Sequence, residues 1–440
     1  MKIFYFLLFI ILIFQTSPAS SQTFWKIANE YGDEILLTIE VNRGKNTFEA
    51  FTRKDALKDL AGIFTYSLAK AAGKLKYPEI VFIEGKTRLK NDSLLMNGNF
   101  NYFDKQFQFS GSIAGNHFEG DYIDRDKAHR LTGIKVPNNK PIKDYSSLIS
   151  TGFLVAEKNI FNPQWLKSDE WVEFKKKVNE LRLLISDDYE LAATCFWLGK
   201  KLPFSPFEIS KSRPNKMASG AKNRVGFSEI KVNTAMFDGN SLPKNQKEMD
   251  SIAVIVNKMG YRNLIIDLRG NNRISPVAAN VILNYLSDRP FSAGVYLTRK
   301  WNEGNSGSPL AQDYPKLFKC VCDKDFRSGE LYKERGRYLN IIPGEKRFNG
   351  KVYLIINSKT SRVAEMITAV VKNRKLGTII GQKSAGLTFV AENIPLNSEY
   401  DLILPDCDFF TPEGENLNNK GVDPDSAKSE EIMKYVLSLL

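Results

Sequence analysis

Residues 351–365 read KVYLIINSKTSRVAE. The apolar run Val352–Ile356 ends in a polar turn, and from Val363 the apolar residues Val363, Met366, Ile367, Val370 and Val371 recur at helical spacing. Buried strand, tight turn and helix in this order set a side chain, or a bound anion, at a helix N-terminus. Two residues compete for that place. Ser361 offers a hydroxyl that would serve as a nucleophile or as the helix cap. Arg362 offers a permanent cation, which has no proton to give up near neutral pH.

Outward from this unit the same alternation continues. RNLIIDLRG (262–270) is a second continuous apolar strand, of the kind buried on both faces. Ahead of it, NQKEMDSIAVIVNKMG (245–260) is a helix with Met249, Ile252, Val256 and Met259 on one face and Gly260 as its stop. Behind it, SPVAANVILNYLS (275–287) opens with a Ser cap and a Pro in the first turn. VGFSEIKV (225–232), TIIGQK (378–383) and YDLILPD (400–406) read as strands, SEEIMKYVLSLL (429–440) as a tail helix, and Gly304–Glu345 as a looser insertion. Strands alternating with helices predict an α/β domain over 223–440.

The preceding segments differ in period. From 22 to 141 the pattern is short and alternating, in EILLTIEVN (34–42), NTFEAFTR (46–53), EIVFIEG (79–85), SLLMNGNFNYF (93–103), FQFSGSIAG (107–115) and HFEGDYI (117–123). This predicts a β-rich domain, an antiparallel sheet or small barrel, with hairpin turns at NRGKN (42–46) and MNGN (96–99) and one helix over 58–75. Residues 142–222 read as a helical connector. Trp171, Phe174, Val178, Leu181 and Leu184 mark one helix. In DDYELAATCFWLGKKL (187–202), acids in the first turn and lysines in the last match a helix macrodipole. PFSPFEISK (203–211) reads as an extended loop.

Residues 1–21 read as a secretory signal: Lys2, the apolar run IFYFLLFIILIF and a polar segment with the small residues Ala19 and Ser21 before Gln22. The apolar run is shorter than the ~20 residues a membrane span needs. The expectation is export to a periplasmic or extracellular compartment, with no stable membrane span once the signal is removed. The charge of +12 is dispersed along the chain, so a solvated surface is expected and a nucleic-acid partner is not. Four cysteines, Cys195, Cys320, Cys322 and Cys407, are too few for a disulfide scaffold, and their pairing stays open. With only His117 and His129, no His/Cys cluster has metal-ligand spacing, so no metal or cofactor is expected.

Four segments, in order, resemble the tail-specific, or C-terminal-processing, serine peptidases: LIIDLRGNN (264–272), INSKTSRVAE (356–365), GTIIGQKSAG (377–386) and TPEGENLNNKGVDPD (411–425). The helical stretch 187–209 resembles the segment that precedes the peptidase core in that family. The resemblance covers about 145–426 and shows no PDZ insert. It implies an α/β crotonase/ClpP-like core. It also implies a Ser nucleophile at the helix start, a Lys or His-centred base, and an oxyanion hole of backbone N–H groups.

Carried across residue by residue, this chain departs from that pattern. The nucleophile position, three residues before Glu365, is Arg362; Ser361 is one residue off. The Lys-base position is Leu387, the oxyanion glycines correspond to Arg273 and Ile274, and the His position is Pro206. The resemblance with these departures implies a pseudopeptidase that binds a peptide, a protein C-terminus or a polymer, or acts as a scaffold. The active alternative is a serine endopeptidase with Ser361 as a shifted nucleophile and Lys383 as its base. Arg362, Asn357 and Thr360 are the candidate ligand-binding residues. Arg362 would hold a carboxylate, or would be paired to Glu365 or Asp267 in a filled site. Asp267 and Arg269 read as a structural pair at a strand end, and Cys407 as a small buried residue.

Overall fold

The computed structural model describes residues 21–102, 105–124, 127–204, 206–213, 225–271, 274–304, 308–320 and 334–440. The expected signal segment up to residue 20, Arg273 and Cys322 lie outside the described residues. The chain divides into two compact units. One takes in the residues up to Ala156, Ser168–Pro214 and Asn393–Ile403; the other takes in Glu157–Lys167, Asn215–Glu392 and Leu404–Leu440.

The first unit contains a closed barrel of eight strands, β1 (Ser21–Asn29), β2 (Glu34–Asn42), β3 (Thr47–Phe51), β4 (Val81–Lys90), β5 (Ser93–Tyr102), β6 (Lys105–Ala114), β7 (His117–Asp124) and β8 (Lys127–Val136). All neighbours are antiparallel, and β1 closes the ring on β8 from Phe24↔Val136 to Asn29↔Leu131. Closure removes both sheet edges, which satisfies every strand's hydrogen-bonding row. The interior is filled by alternate residues, among them Trp25, Ile27, Ile35, Leu37, Ile39, Phe48, Phe109 and Phe118. Burying each such side chain contributes roughly 1.5–3 kcal/mol.

MNGN is not a turn. Met96–Asn99 lies within β5, and Gly98 stands opposite Gly85 of β4. A Cβ on Gly98 would lie 1.9 Å from the Glu84 carbonyl oxygen, so the glycine serves close strand approach. A second pair, Gly111↔Gly120, leaves room for the Phe109 ring. The single helix expected over 58–75 is two, Ala56–Ala61 and Ile63–Ala71, divided at Gly62 with φ +76°.

Beyond the barrel the described residues of this unit include the helix Tyr145–Asn159 as far as Ala156 and the helices Asp169–Leu181 and Asp188–Gly199. The middle helix stops at Leu181; Leu184 lies past its end and is exposed. In the third helix the acids are not solvated partners of the dipole. Asp187, Asp188 and Glu190 are buried. Asp187 accepts the Leu36 N–H, Asp188 the Glu34 N–H and the hydroxyls of Tyr145 and Tyr400, and Glu190 the Arg53 guanidinium at 2.6 Å. Part of the expected loop is strand β9 (Glu208–Lys211), antiparallel to Tyr400–Ile403.

The second unit is α/β. Its main sheet runs β10-β11-β12-β16-β17-β20, where β10 is Phe227–Lys231, β11 Thr234–Asp238, β12 Asn263–Asp267, β16 Lys351–Ile356, β17 Thr378–Gly381 and β20 Ser426–Ala427. From β11 to β20 the pairs are parallel; β10 is the antiparallel edge. Leu264, Ile265 and Ile266 of β12 and Leu354, Ile355 and Ile356 of β16 are fully buried, as continuous apolar runs require. The helices Gln246–Met259, Pro276–Leu286 and Val363–Asn373 pack on this sheet in one apolar cluster. Gly260 ends the first at φ +66°, and the Ser275 hydroxyl caps the second. Met259, placed on the buried face by its spacing, is instead exposed in the last turn. The insertion also carries order: β15 (Gly336–Ile341) pairs with β14 (Phe318–Cys320) and with β13 (Phe291–Thr298), which pairs over Val295–Thr298 with Cys407–Phe410 of strand β19 (Tyr400–Phe410), itself beside β18 (Val390–Pro395).

Candidate active site

The carboxyl ends of parallel strands β12 and β16 lie side by side, the place where α/β sheets commonly present their ligands. After β12 comes the turn Leu268–Asn271, and after β16 the turn Asn357–Arg362. Polar side chains bind the two turns together. The Asn357 side-chain oxygen accepts the Gly270 N–H at 2.9 Å, and the Thr360 hydroxyl donates to the Leu268 carbonyl at 2.8 Å. The Ser361 N–H donates to the Asn271 carbonyl at 3.0 Å, while the Asn271 amide donates to the Gly239 carbonyl at 2.7 Å. Asn357 and Thr360 therefore hold the turn. Thr360 is fully buried.

Arg362 carries the turn into the helix Val363–Asn373 with φ +60° and ψ −128°. A side chain larger than glycine is rare there and costs about 1–3 kcal/mol, sustained only when its surroundings over-determine it. A strand-to-helix elbow of this sharpness exposes the residue at its corner. The corner residue is Arg362 and not Ser361. Ser361, expected as the cap, precedes the first helical residue by two, and the cap position is Arg362 with no side-chain cap bond. Ser361 is 7% exposed.

Arg362 does not pair with either carboxylate expected for it. Asp267 is taken by Arg269, whose guanidinium donates to both of its oxygens at 2.9 and 2.6 Å. Glu365 is fully buried and accepts the Ser384 hydroxyl at 2.5 Å, the Gly386 N–H at 2.6 Å and the Leu387 N–H at 2.7 Å. Burial pushes its carboxyl above the usual carboxylate range, against the pull of those donors. The half-buried Arg362 side chain makes no hydrogen bond or ion pair with any described residue.

The segment after β17 closes the other side. Ala385 N–H donates to the Thr360 carbonyl at 2.9 Å, and Arg362 N–H to the Leu387 carbonyl at 2.6 Å. Leu387, at the position the resemblance gives to the base, is an exposed apolar side chain. Lys383 is also exposed and lies 3.3 Å from Asp423. Ile274 is half-buried against the apolar cluster of this unit. Pro206 lies in the first unit, as do His117 and His129, both on barrel strands; His129 contacts Glu30 at 2.7 Å. Among the described residues no group of three His, Cys, Asp or Glu side chains is arranged to hold a metal ion. Cys195, Cys320 and Cys407 are buried, and burial pushes the Cys195 thiol up to about 12.

One centre escaped the sequence reading. Asp408, fully buried in β19, accepts the Thr388 hydroxyl at 2.8 Å and the Asn416 and Asn418 amides at 2.6 and 2.8 Å. It ties the loop after Leu387 to the GENLNN turn. An acid inside an apolar strand, followed by two asparagines in a turn, was its only signal. Burial pushes Asp408 up to about 7.

A strand–turn–helix corner thus stands at the carboxyl end of a parallel sheet, closed by a buried glutamate and a glycine turn. Residues 228–427 match the model of Peptidase family S41. A Carboxy-terminal-processing protease of Bartonella bacilliformis is 28% identical over 114 residues, covering 24% of this chain and 26% of the relative. The chain thus spans about a quarter of the length of the curated relative it matches. Among solved structures, a lipoprotein from Streptococcus agalactiae is similar at 15% identity and TM-score 0.43, covering 66% of this chain and 95% of that one. The tricorn protease is similar at 11% identity and TM-score 0.42, covering 90% of this chain and 45% of that one. Among the described residues no helix is long and apolar enough to cross a membrane.

Proposed function

We propose that the protein is an exported, non-catalytic S41 homologue with a crotonase-like second unit. In this reading it holds a peptide or protein C-terminus at the Arg362 corner in place of cleaving it. The observation that carries the reading is Arg362 at the elbow, three residues before Glu365, where hydrolysis would need a hydroxyl. Its guanidinium is matched in shape and charge to a carboxylate. Leu387 at the base position and Ile274 at an oxyanion position support the same reading. Export rests on the composition of residues 1–21.

A fluorophosphonate probe applied to the whole mature chain tests inactivity, and no serine is expected to be labelled. Fluorescence anisotropy with one acidic-terminus peptide, as free acid and as amide, tests binding. The free acid is expected to bind at least about tenfold tighter, and Arg362→Ala to abolish that difference. Equal binding of both forms would remove Arg362 as the carboxylate contact.

The competing reading is an active endopeptidase with Ser361 and Lys383. In its favour, the Ala385–Thr360 hydrogen bond brings the Lys383 stretch alongside the turn that carries Ser361. Labelling at Ser361, lost in both Ser361→Ala and Lys383→Ala, would establish it over the first.

A further inference from the structure

The second unit carries a groove that the peptidase-like reading does not use. It has a volume of about 940 Å³, at the upper end of what ligand pockets offer. The Arg362 corner follows the carboxyl end of β16, whereas this groove lies at the amino ends of the same strands. Asn263, which opens β12, and Lys351, which opens β16, both line it and are register partners in the parallel pair. The end of the helix Gln246–Met259, the turn at Tyr261 and Arg262, and the loop 345–350 complete it.

Backbone contacts fix this frame. The Arg262 N–H donates to the Asn233 carbonyl at 2.9 Å, and the Arg262 carbonyl accepts the Lys351 N–H at 2.9 Å. A Cβ on Gly350 would lie 2.2 Å from that same carbonyl oxygen, so a glycine is needed for the loop to cross so near the start of β12. Phe348 is buried, with its ring 6.2 Å from that of Tyr285 and its N–H donating to the Tyr285 carbonyl at 2.9 Å. It anchors the loop in the apolar core of the unit. Lys346 and Arg347 come just before this anchor, and Lys351 just after it.

Four cations thus line one groove, Arg262, Lys346, Arg347 and Lys351, against the carboxyl groups of Glu345 and Leu440. All four are exposed, and none adjoins an undescribed residue in sequence. None makes an ion pair with any described residue. Elsewhere on this unit exposed lysines are engaged, Lys316 with Asp313 at 2.9 Å, Lys420 with Glu415 at 3.3 Å and Lys434 with Glu431 at 3.2 Å. Grouped like charges repel one another, and an anion entering the groove relieves that repulsion.

The other groups in the lining select among anions. Asn257 and Asn349 each offer a donor and an acceptor, and Val256 and Asn257 bring the carbonyl end of a helix. That end favours donors and disfavours a chain of phosphates. A lipid surface is flat and does not enter a concave groove. A peptide supplies main-chain N–H and C=O groups for the asparagines and the helix end, and acidic side chains for the cations. We propose that this groove docks an acidic segment of a partner protein, with Arg262 and Arg347 as the contacts for its carboxylates.

Fluorescence anisotropy on the full mature chain tests the proposal, with a labelled, C-terminally amidated peptide of Glu-Ser-Gly repeats and its Gln-Ser-Gly counterpart. The acidic peptide is expected to bind at least about tenfold tighter than the neutral one. Joint Arg262→Gln and Arg347→Gln substitution is expected to weaken that binding at least about tenfold, and the second groove pair, Lys346→Gln with Lys351→Gln, to weaken it as well. Arg88→Gln with Lys90→Gln removes the same charge from exposed positions of β4 in the barrel unit and is expected to leave binding unchanged. Equal binding of the two peptides overturns the proposal. Equal weakening by the groove and barrel pairs also overturns it, since net charge alone would then attract the peptide. Inorganic polyphosphate or phosphatidylglycerol vesicles held more tightly than the acidic peptide, through Arg262 and Arg347, would overturn it too. Both peptides end in an amide, so the outcome is separate from carboxylate binding at Arg362.

Discussion

The backbone N–H of Arg362 donates to the carbonyl of Leu387 at 2.6 Å. The two positions that S41 resemblance would give to nucleophile and base are thus joined directly by their main chains. The corner is held in shape by backbone, while the side chains at the two positions are an arginine and a leucine. Shape and chemistry are separable here, and each can be tested alone.

Arg362→Gly relieves the positive φ without touching a side-chain partner, since Arg362 has none among the described residues. It is expected to stabilise the second unit by about 1 kcal/mol, a rise of roughly 2–4 °C in its melting midpoint. Arg362→Val, β-branched at the same φ, is expected to lower it. A calorimetric scan of the three proteins decides the matter; an unchanged or lower midpoint for the glycine variant would refute the strain.

Glu365→Gln keeps the volume but turns an NH₂ group toward donors. One of the Gly386 and Leu387 N–H groups then loses its acceptor inside a buried site. The expected cost is about 2–4 kcal/mol, measured by urea unfolding. A loss below about 0.5 kcal/mol would mean that the glutamate does not hold this loop.

Asp187 in the first unit and Asp408 in the second are both pushed up to about 7 by burial. An acid whose folded pKa is raised binds more protons folded than unfolded between its two pKa values. Its contribution is complete below the ordinary aspartate pKa and is lost as pH rises through about 7. Urea unfolding is therefore expected to show both units losing roughly 1–3 kcal/mol per group between pH 5 and 8. Asp408→Asn should flatten the profile of the second unit only. A stability that rises over that range would contradict the raised values.

Gly98→Ala places a methyl group against the Glu84 carbonyl and the Gly85 Cα across the β4–β5 pair. The strands must separate locally, at a cost of about 1–3 kcal/mol. Loss of barrel stability in a thermal melt followed by far-UV dichroism is the expected result. A neutral substitution would contradict the close approach of β4 and β5 at Gly85 and Gly98.

The legible parts of this chain were those specified locally. The apolar runs of β12 and β16, the Ser275–Pro276 helix start and the Gly260 stop each carry their reason within a few residues. Barrel strands were legible as strands, but nothing in Phe24 says that it will face Val136. Asparagine and glycine in MNGN gave a turn signal, because sequence cannot show Gly85 waiting on the next strand. Asp187, Asp188 and Glu190 look like solvated first-turn acids; their partners Leu36, Tyr400 and Arg53 are distant along the chain. At the candidate site the counting that puts Arg362 at the corner needed only Glu365. The lock on Glu365 needed residues 384–387, and the Asp408 centre needed three loops at once.

The partners that hold the elbow also bear on when it forms. Thr360, Ser361 and Asn357 reach Leu268, Asn271 and Gly270, some ninety residues earlier, and Glu365 reaches Ser384 about twenty residues later. Closing such separated segments is slow compared with forming the helix Val363–Asn373. The strained conformation of Arg362 has no support until both have arrived. The corner is therefore expected to form late in folding, after both distant segments have docked.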